Sequence, residues 1–317
     1  MPRLEIRPFS EDYLPQAVEL LAARHRAHRA AEPLLPPRFE EPEEAAAAVA
    51  ELASAEDASG AVALREGKVV GFLLGTRKSD ETWGPNVWVE PAGHAVRKAE
   101  DLRDLYAEAA ARWFDEGRVR HYAVVPASDP ALVEAWARVG FGQQHALGIR
   151  EVPEASWPEG TRLAEERDVD ALVDQTPLLA DHQERSPVFS VIPRETREEI
   201  RSDIVANLPK DENGDLVFER DDRVVGSFAL APIELSNVHS TLARPEGAAI
   251  LGWAATEPAV RGSGAGLALT EASFAWARER GYEVMVTDWR VTNLLSSRFW
   301  PARGFRLTFL RLYRHIP

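Results

Sequence analysis

The feature that most restricts this chain is that it repeats itself. Residues 62–71 read VALREGKVVG, and residues 217–226 read VFERDDRVVG. Each is a β-branched run, a polar charged turn and a second run ending in glycine, the pattern of a hairpin. A second match follows in the same order: Trp136-Ala137-Arg138-Val139-Gly140-Phe141 and Trp300-Pro301-Ala302-Arg303-Gly304-Phe305. Long-period self-similarity marks a repeated structural unit. A length of 317 residues agrees with two domains.

Hydrophobic patterning gives each half the same order of elements. A short strand (4–8; near 161–164) precedes helices (11–30 and 41–54; 168–183 and 194–207) and then the hairpin. Next come a strand (86–90; 249–256), a long helix (100–117; 265–280), a strand (121–126; 283–289), a short helix (130–139; 294–303) and closing strands (143–152; 305–315). Residues 153–160 carry two prolines and a glycine and read as a linker between domains 1–152 and 161–317.

Composition excludes several classes of function. With 37 basic and 51 acidic residues the net charge is −14. That field repels phosphate backbones and favours cationic partners, so nucleic acid is not expected. The absence of cysteine removes disulfides, thiolate metal sites and a cysteine nucleophile. Neither a secretory h-region after Met1 nor a run of ~18 apolar residues occurs, so a cytoplasmic protein without a membrane partner is expected. The histidines are dispersed and no metal site is expected. His25 and His28 share a helical face with Arg24, Arg26 and Arg29 around them, which reads as a solvated face.

The strongest chemical signal is Arg261-Gly262-Ser263-Gly264-Ala265-Gly266, between a strand and an amphipathic helix. Unpaired N–H groups at a helix N-terminus carry partial positive charge, and glycines let a diphosphate approach them. The Gly-Lys-Ser/Thr of a P-loop is missing. A dinucleotide fold would place the loop early in a βαβ unit, with an acidic residue ~20 positions on, whereas here it follows a hairpin.

After Pro258, this loop resembles the Arg-Gly-x-Gly-x-Gly pyrophosphate loop of the GNAT acetyltransferases. Asn293, then Trp300, then Gly304-Phe305 resembles that family's late motif. The resemblance implies an α/β fold of two tandem GNAT-like domains, each a mixed, mostly antiparallel sheet flanked by helices. It implies acetyl-CoA as cofactor, with Arg261, Gly262, Ser263, Gly264, Ala265 and Gly266 on the pyrophosphate. Backbone groups of Ala254, Ala255 and Thr256, with Asn293, would take the pantetheine arm. Asn293 also suits a helix N-cap.

In the first half, aligning Pro91 with Pro258 puts Ala95, Arg97 and Ala99 where the loop glycines stand and His94 at the arginine position. Side chains there would crowd out a diphosphate. Asp129 replaces the late-motif asparagine. The first half is therefore expected to be degenerate.

The activity implied is acetyl transfer to a primary amine of a cationic small molecule, by a monomer or homodimer. A mycothiol-synthase-type enzyme and a non-catalytic acetyl-CoA sensor are the alternatives. An amine of pKa ~10.4 must lose a proton, a cost of about 4.6 kcal/mol at pH 7, which a general base offsets. Candidate bases are Asp288, Glu246 and His239, and Tyr313 is a candidate acid. Trp300, where many relatives carry a tyrosine acid, reads as core. Asp181, His182 and Glu184 are expected on the acceptor side.

Overall fold

The computed structural model describes residues 3–190 and 194–317. Met1 and Pro2, with which the leader reading began, lie outside them. The chain is a mixed α/β protein that forms two compact units, each discontinuous in sequence.

Unit 1 holds residues 1–147, 239–245 and 307–317. Its elements begin with β1 (Glu5–Pro8), α1 (Leu14–Ala31), α2 (Pro42–Ala53), β2 (Ser59–Arg65) and β3 (Lys68–Gly75). They continue with α3 (Asp80–Trp83), β4 (Asn86–Val89), β5 (His94–Val96), α4 (Asp101–Asp115), β6 (Arg120–Pro126) and α5 (Pro130–Arg138). The first part of β7 (Gly142–Glu151) also belongs here. Unit 2 holds residues 148–238 and 246–306. Its elements are the rest of β7, then β8 (Thr161–Leu163), α6 (Val169–Gln175), α7 (Pro177–Gln183), α8 (Arg197–Asn207), β9 (Gly214–Arg220) and β10 (Arg223–Pro232). β11 (Ala249–Thr256), α9 (Ala265–Glu279), β12 (Val284–Arg290) and α10 (Ser296–Ala302) follow. Of the final strand, β13 (Arg306–His315), all but its first residue groups with unit 1.

These units differ from the halves expected at 152 and 161. The closing strand is the reason: β13 pairs antiparallel with β6, from Phe309 opposite Pro126 to His315 opposite Arg120. Residues 153–160, expected as a linker, group with unit 2, where Trp157 donates from Nε1 to Glu279 at 2.6 Å.

The two hairpins confirm the repeat in detail. β2–β3 turns through Glu66-Gly67 and β9–β10 through Asp221-Asp222. All four residues have positive φ, between 52° and 73°, as two-residue hairpin turns that match strand twist require. Each hairpin skips the residue before its glycine, Val70 in one and Val225 in the other, so both carry the same bulge.

The core of unit 1 lies among α1, α2 and the β1-β2-β3-β5 sheet, where Leu21, Val49, Val62 and Phe72 are buried with Trp88 and Phe309. Here the solvated-face reading of α1 fails. His25 and His28 are buried, edge-on to Phe39 at 5.9 Å and Phe309 at 4.7 Å between ring centres. Burial pushes their pKa values down to about 4 and about 3, because desolvation disfavours the imidazolium. In unit 2, α9 packs along β9, β10 and β11, and Trp276 lies so close over Gly214 that a β-carbon there would meet its ring at 2.5 Å. No helix among the described residues is long and apolar enough to cross a membrane, and no group of three or more His, Asp or Glu is placed to hold a metal.

Candidate functional site

The site in unit 2 starts from one irregularity in β11. Along one edge β11 pairs antiparallel with β10 over its whole length. Ala229 faces Trp253 and Leu230 faces Leu251, so Gly252 is an extra, bulged residue. A bulge bends its strand and sharpens the twist. On the other edge the parallel pairing with β12 covers only Ala249, Ile250 and Leu251, opposite Met285, Val286 and Thr287. Thr287 closes that last rung by donating from its hydroxyl to the Leu251 carbonyl at 2.9 Å. Beyond it the strands part, and residues 252–256 of β11 have no strand on their second edge among the described residues. Their outward backbone groups are therefore free to pair with an extended amide-bearing chain, as an added strand would.

The glycine loop lies at the end of this edge. Glu257 N–H bonds to the Val225 carbonyl at 2.9 Å, a short 3-10 turn spans Pro258–Val260, and α9 begins at Ala265. Residues 261–264 are exposed. Gly262 and Gly264 have φ of 80° and 96°, and a β-carbon on either would meet nothing within 4 Å. The loop thus needs glycine for its backbone and leaves space above it. No side chain caps α9 at Gly264, so the first N–H groups of a 15-residue helix face that space. The cradle fits a diphosphate.

Asn293 lies three residues past the end of β12. Its Oδ1 accepts from the backbone N–H of Leu295 at 3.0 Å and of Ser296 at 3.3 Å. The helix-cap role anticipated for it is present, and its amide N–H groups are all it has left for a pantetheine arm. His182, near the end of α7, bonds to the same Oδ1 through Nε2 at 3.1 Å. Because α7 packs against β11, this bond spans the gap between the diverging strands. Asp181 and Glu184 are engaged by Arg194, at 2.8 Å and 2.7 Å. Sequence reasoning grouped the two carboxylates but missed the arginine, which lies ten residues beyond the second of them.

The remaining candidates separate. Asp288 is half-buried, on the residue after the last β11–β12 rung, and so stands where the strands diverge. Glu246 is exposed three residues before β11. At ~3.3 Å per residue it is about 20 Å from the bulge, at the wrong end of the strand for a base. His239 is buried in the 239–245 segment, whose Leu242 and Ala243 enter the core of unit 1. Tyr313 also belongs to unit 1, its ring 4.9 Å from that of Tyr122 on the paired strand. Neither His239 nor Tyr313 is part of the unit that carries the loop. Trp300 is buried between Phe299 and Phe305, at 4.9 and 5.6 Å, and is core.

Unit 1 shows what the repeat has become there. The glycine ending each hairpin pairs with Val96 in one unit and Thr256 in the other. His94, Ala95 and Val96 therefore occupy the places of Ala254, Ala255 and Thr256. This register overturns the alignment of Pro91 with Pro258: His94 stands in the strand, not at the arginine of the loop. Only residues 97–100 separate β5 from α4, against 257–264 between β11 and α9. The loop is four residues shorter, so no cradle forms. The equivalent strand is also broken, β4 pairing with β6 and β5 with β3. His94 Nε2 donates to the Val124 carbonyl of β6 at 3.0 Å, and Arg24 donates to the carbonyls of Pro91 and His94. Side chains thus take the backbone groups and the space that an extended ligand would need. Burial pushes the Arg24 pKa down to about 9 and that of His94 to about 3. Asp129 keeps the capping half of its counterpart's role, accepting from Leu132 N–H at 3.0 Å.

A bulged strand diverging from a parallel neighbour, with a glycine loop and an uncapped helix N-terminus at its end, is the arrangement that positions this candidate site. The acetyltransferase (GNAT) family model matches residues 178–305, inside the half with the open strand edge. Similar solved structures extend the fold across the whole chain. A GCN5-related N-acetyltransferase from Sphaerobacter thermophilus matches with TM-score 0.58 at 15% identity, covering 98% of this chain and 95% of that one. A tandem GNAT protein from the clavulanic acid biosynthesis pathway matches with TM-score 0.50 at 15% identity, covering 99% and 98%. At these identities the likeness is one of fold. No curated protein sequence matches the chain.

Proposed function

We propose that this protein is an acetyl-CoA-dependent N-acetyltransferase whose working site lies in unit 2 and whose acceptor is a primary amine of a small molecule. The observation that carries the reading is the open edge of β11 leading directly into the Gly262–Gly264 loop and the uncapped start of α9. The loop and the first turn of α9 would hold the pyrophosphate, and the free edge of residues 253–256 the pantetheine amides. Bound acetyl-CoA supplies an acetyl group already activated as a thioester. The divergence after Thr287 gives the acetyl end room between the strands. Asp288 and His182 stand at that divergence and are the polar groups positioned to receive an amine proton. Since Arg194 already neutralises part of the Asp181–Glu184 pair, those carboxylates do not select a polycationic acceptor, and a monoamine suffices.

Free-thiol release from acetyl-CoA, measured across amino sugars, amino acids and polyamines, tests the proposal. Turnover of one amine well above hydrolysis is the expected result. Tight acetyl-CoA binding with no amine turned over would favour the sensor reading instead.

A further inference from the structure

We infer that His182 is the general base of this site, acting through Nδ1, with Asn293 fixing its tautomer; the inference rests on the acetyltransferase reading above. The two backbone N–H donors on Asn293 identify the atom they meet as the amide oxygen rather than the amide nitrogen. An oxygen can only accept, so His182 Nε2 must carry the hydrogen it donates at 3.1 Å. In a neutral imidazole the other nitrogen then bears the free lone pair. Among the described residues Nδ1 has no hydrogen-bond partner, and the side chain is half-buried. The ring is held at both ends of its support: α7 rests on β11, and Asn293 is locked to the start of α10 by its two caps. It therefore stands over the gap where the acyl group and amine must meet. The neighbouring carboxylates do not compete, because the Arg194 guanidinium engages Asp181 and Glu184.

The step balances as follows. The ammonium form of the acceptor first gives its extra proton to water. The nitrogen lone pair of the neutral amine attacks the thioester carbonyl carbon and the C–N bond forms. The C–S bond breaks, its electron pair leaving on sulfur. The proton still in excess on nitrogen passes to His182 Nδ1 and from there to the thiolate, giving amide and free thiol.

Two measurements test the assignment. In ¹⁵N-histidine NMR of the full chain without ligands, with the signal assigned through His182→Gln, His182 should show a protonated Nε2 and an unprotonated Nδ1. In Asn293→Ala that preference should be lost. The second is kinetic, with acetyl-CoA as donor and glucosamine, spermidine and glycine as acceptors. His182→Ala and His182→Gln should lower kcat about 10²–10⁴-fold while acetyl-CoA affinity by calorimetry stays within about twofold of the parent. Added imidazoles should restore turnover to His182→Ala, the more basic ones more effectively, which a lost structural contact would not reproduce. Asp288→Asn should cost less than His182→Gln. A proton on Nδ1 in the parent, or parent-like kcat in His182→Gln, overturns the assignment of the base and leaves the acetyltransferase reading standing. A parent that turns over no amine overturns both.

Discussion

Acidification should destabilise unit 1 well above the pH range in which carboxylates titrate. His25, His28, His94 and His121 are all in unit 1 and all buried. Desolvation is the leading cause that holds their pKa values at about 4, 3, 3 and 4. Each is bonded as a neutral ring; His121, for instance, donates from Nε2 to the Arg118 carbonyl and pairs through Nδ1 with the Tyr106 hydroxyl. An unfolded histidine titrates near 6.5. The folded values lie lower, so between these limits the unfolded chain binds more protons. The stability from keeping the rings neutral is complete above ~6.5 and is lost as pH falls toward 4. From pH 7 to 5.5 each histidine withdraws about 1.2 kcal/mol, and the four together about 5 kcal/mol. For a unit of this size the urea midpoint should fall by about 2 M. Equilibrium urea unfolding at the two pH values, with hydrogen exchange to assign the loss of protection to β2, β3 and β6, gives the answer. His28→Leu, which removes one titrating ring, should flatten the dependence by about a quarter. A midpoint unchanged between pH 7 and 5.5 would refute the reasoning, since four buried neutral imidazoles cannot fail to be protonated on unfolding.

Other perturbations separate the two units. Gly264→Glu should abolish acetyl-CoA binding by calorimetry, because the side chain strains a left-handed backbone and sets a negative charge at the start of α9, whereas Lys98→Glu in the short turn of unit 1 should leave it unchanged. Asp129→Ala should cost about 1 kcal/mol of stability by removing the cap of α5, read as a lower Tm with acetyl-CoA affinity retained. Thr287→Val should cost about 1 kcal/mol in chemical denaturation by leaving the buried Leu251 carbonyl without its partner; no change would mean that this hydroxyl does not close the last rung.

The sequence by itself determined the features that are local. The β-branched runs, the turns at Glu66-Gly67 and Asp221-Asp222, and the order of helices and strands are set by patterns a few residues long. That locality made the repeat visible and placed the glycine loop between a strand and a helix. The loop's backbone demand is likewise written in its glycines. Tertiary structure decided what depends on partners distant in the chain. The place of β13 in unit 1 is a matter of which strand it pairs with, and nothing in residues 306–315 announces β6. The difference of the first half was legible, but its cause was misplaced by one alignment: strand register, not residue type, shows that the loop is four residues shorter, and Arg24 takes the carbonyls of Pro91 and His94. His239 and Tyr313 fall in unit 1 while the glycine loop falls in unit 2, a division that no local pattern in the chain announces. Arg194 on Asp181 and Glu184, and His182 on Asn293 across 111 positions, are side-chain meetings that no periodicity encodes. The second arises because α7 packs on β11 while Asn293 follows β12, two strands that part after Leu251 and Thr287.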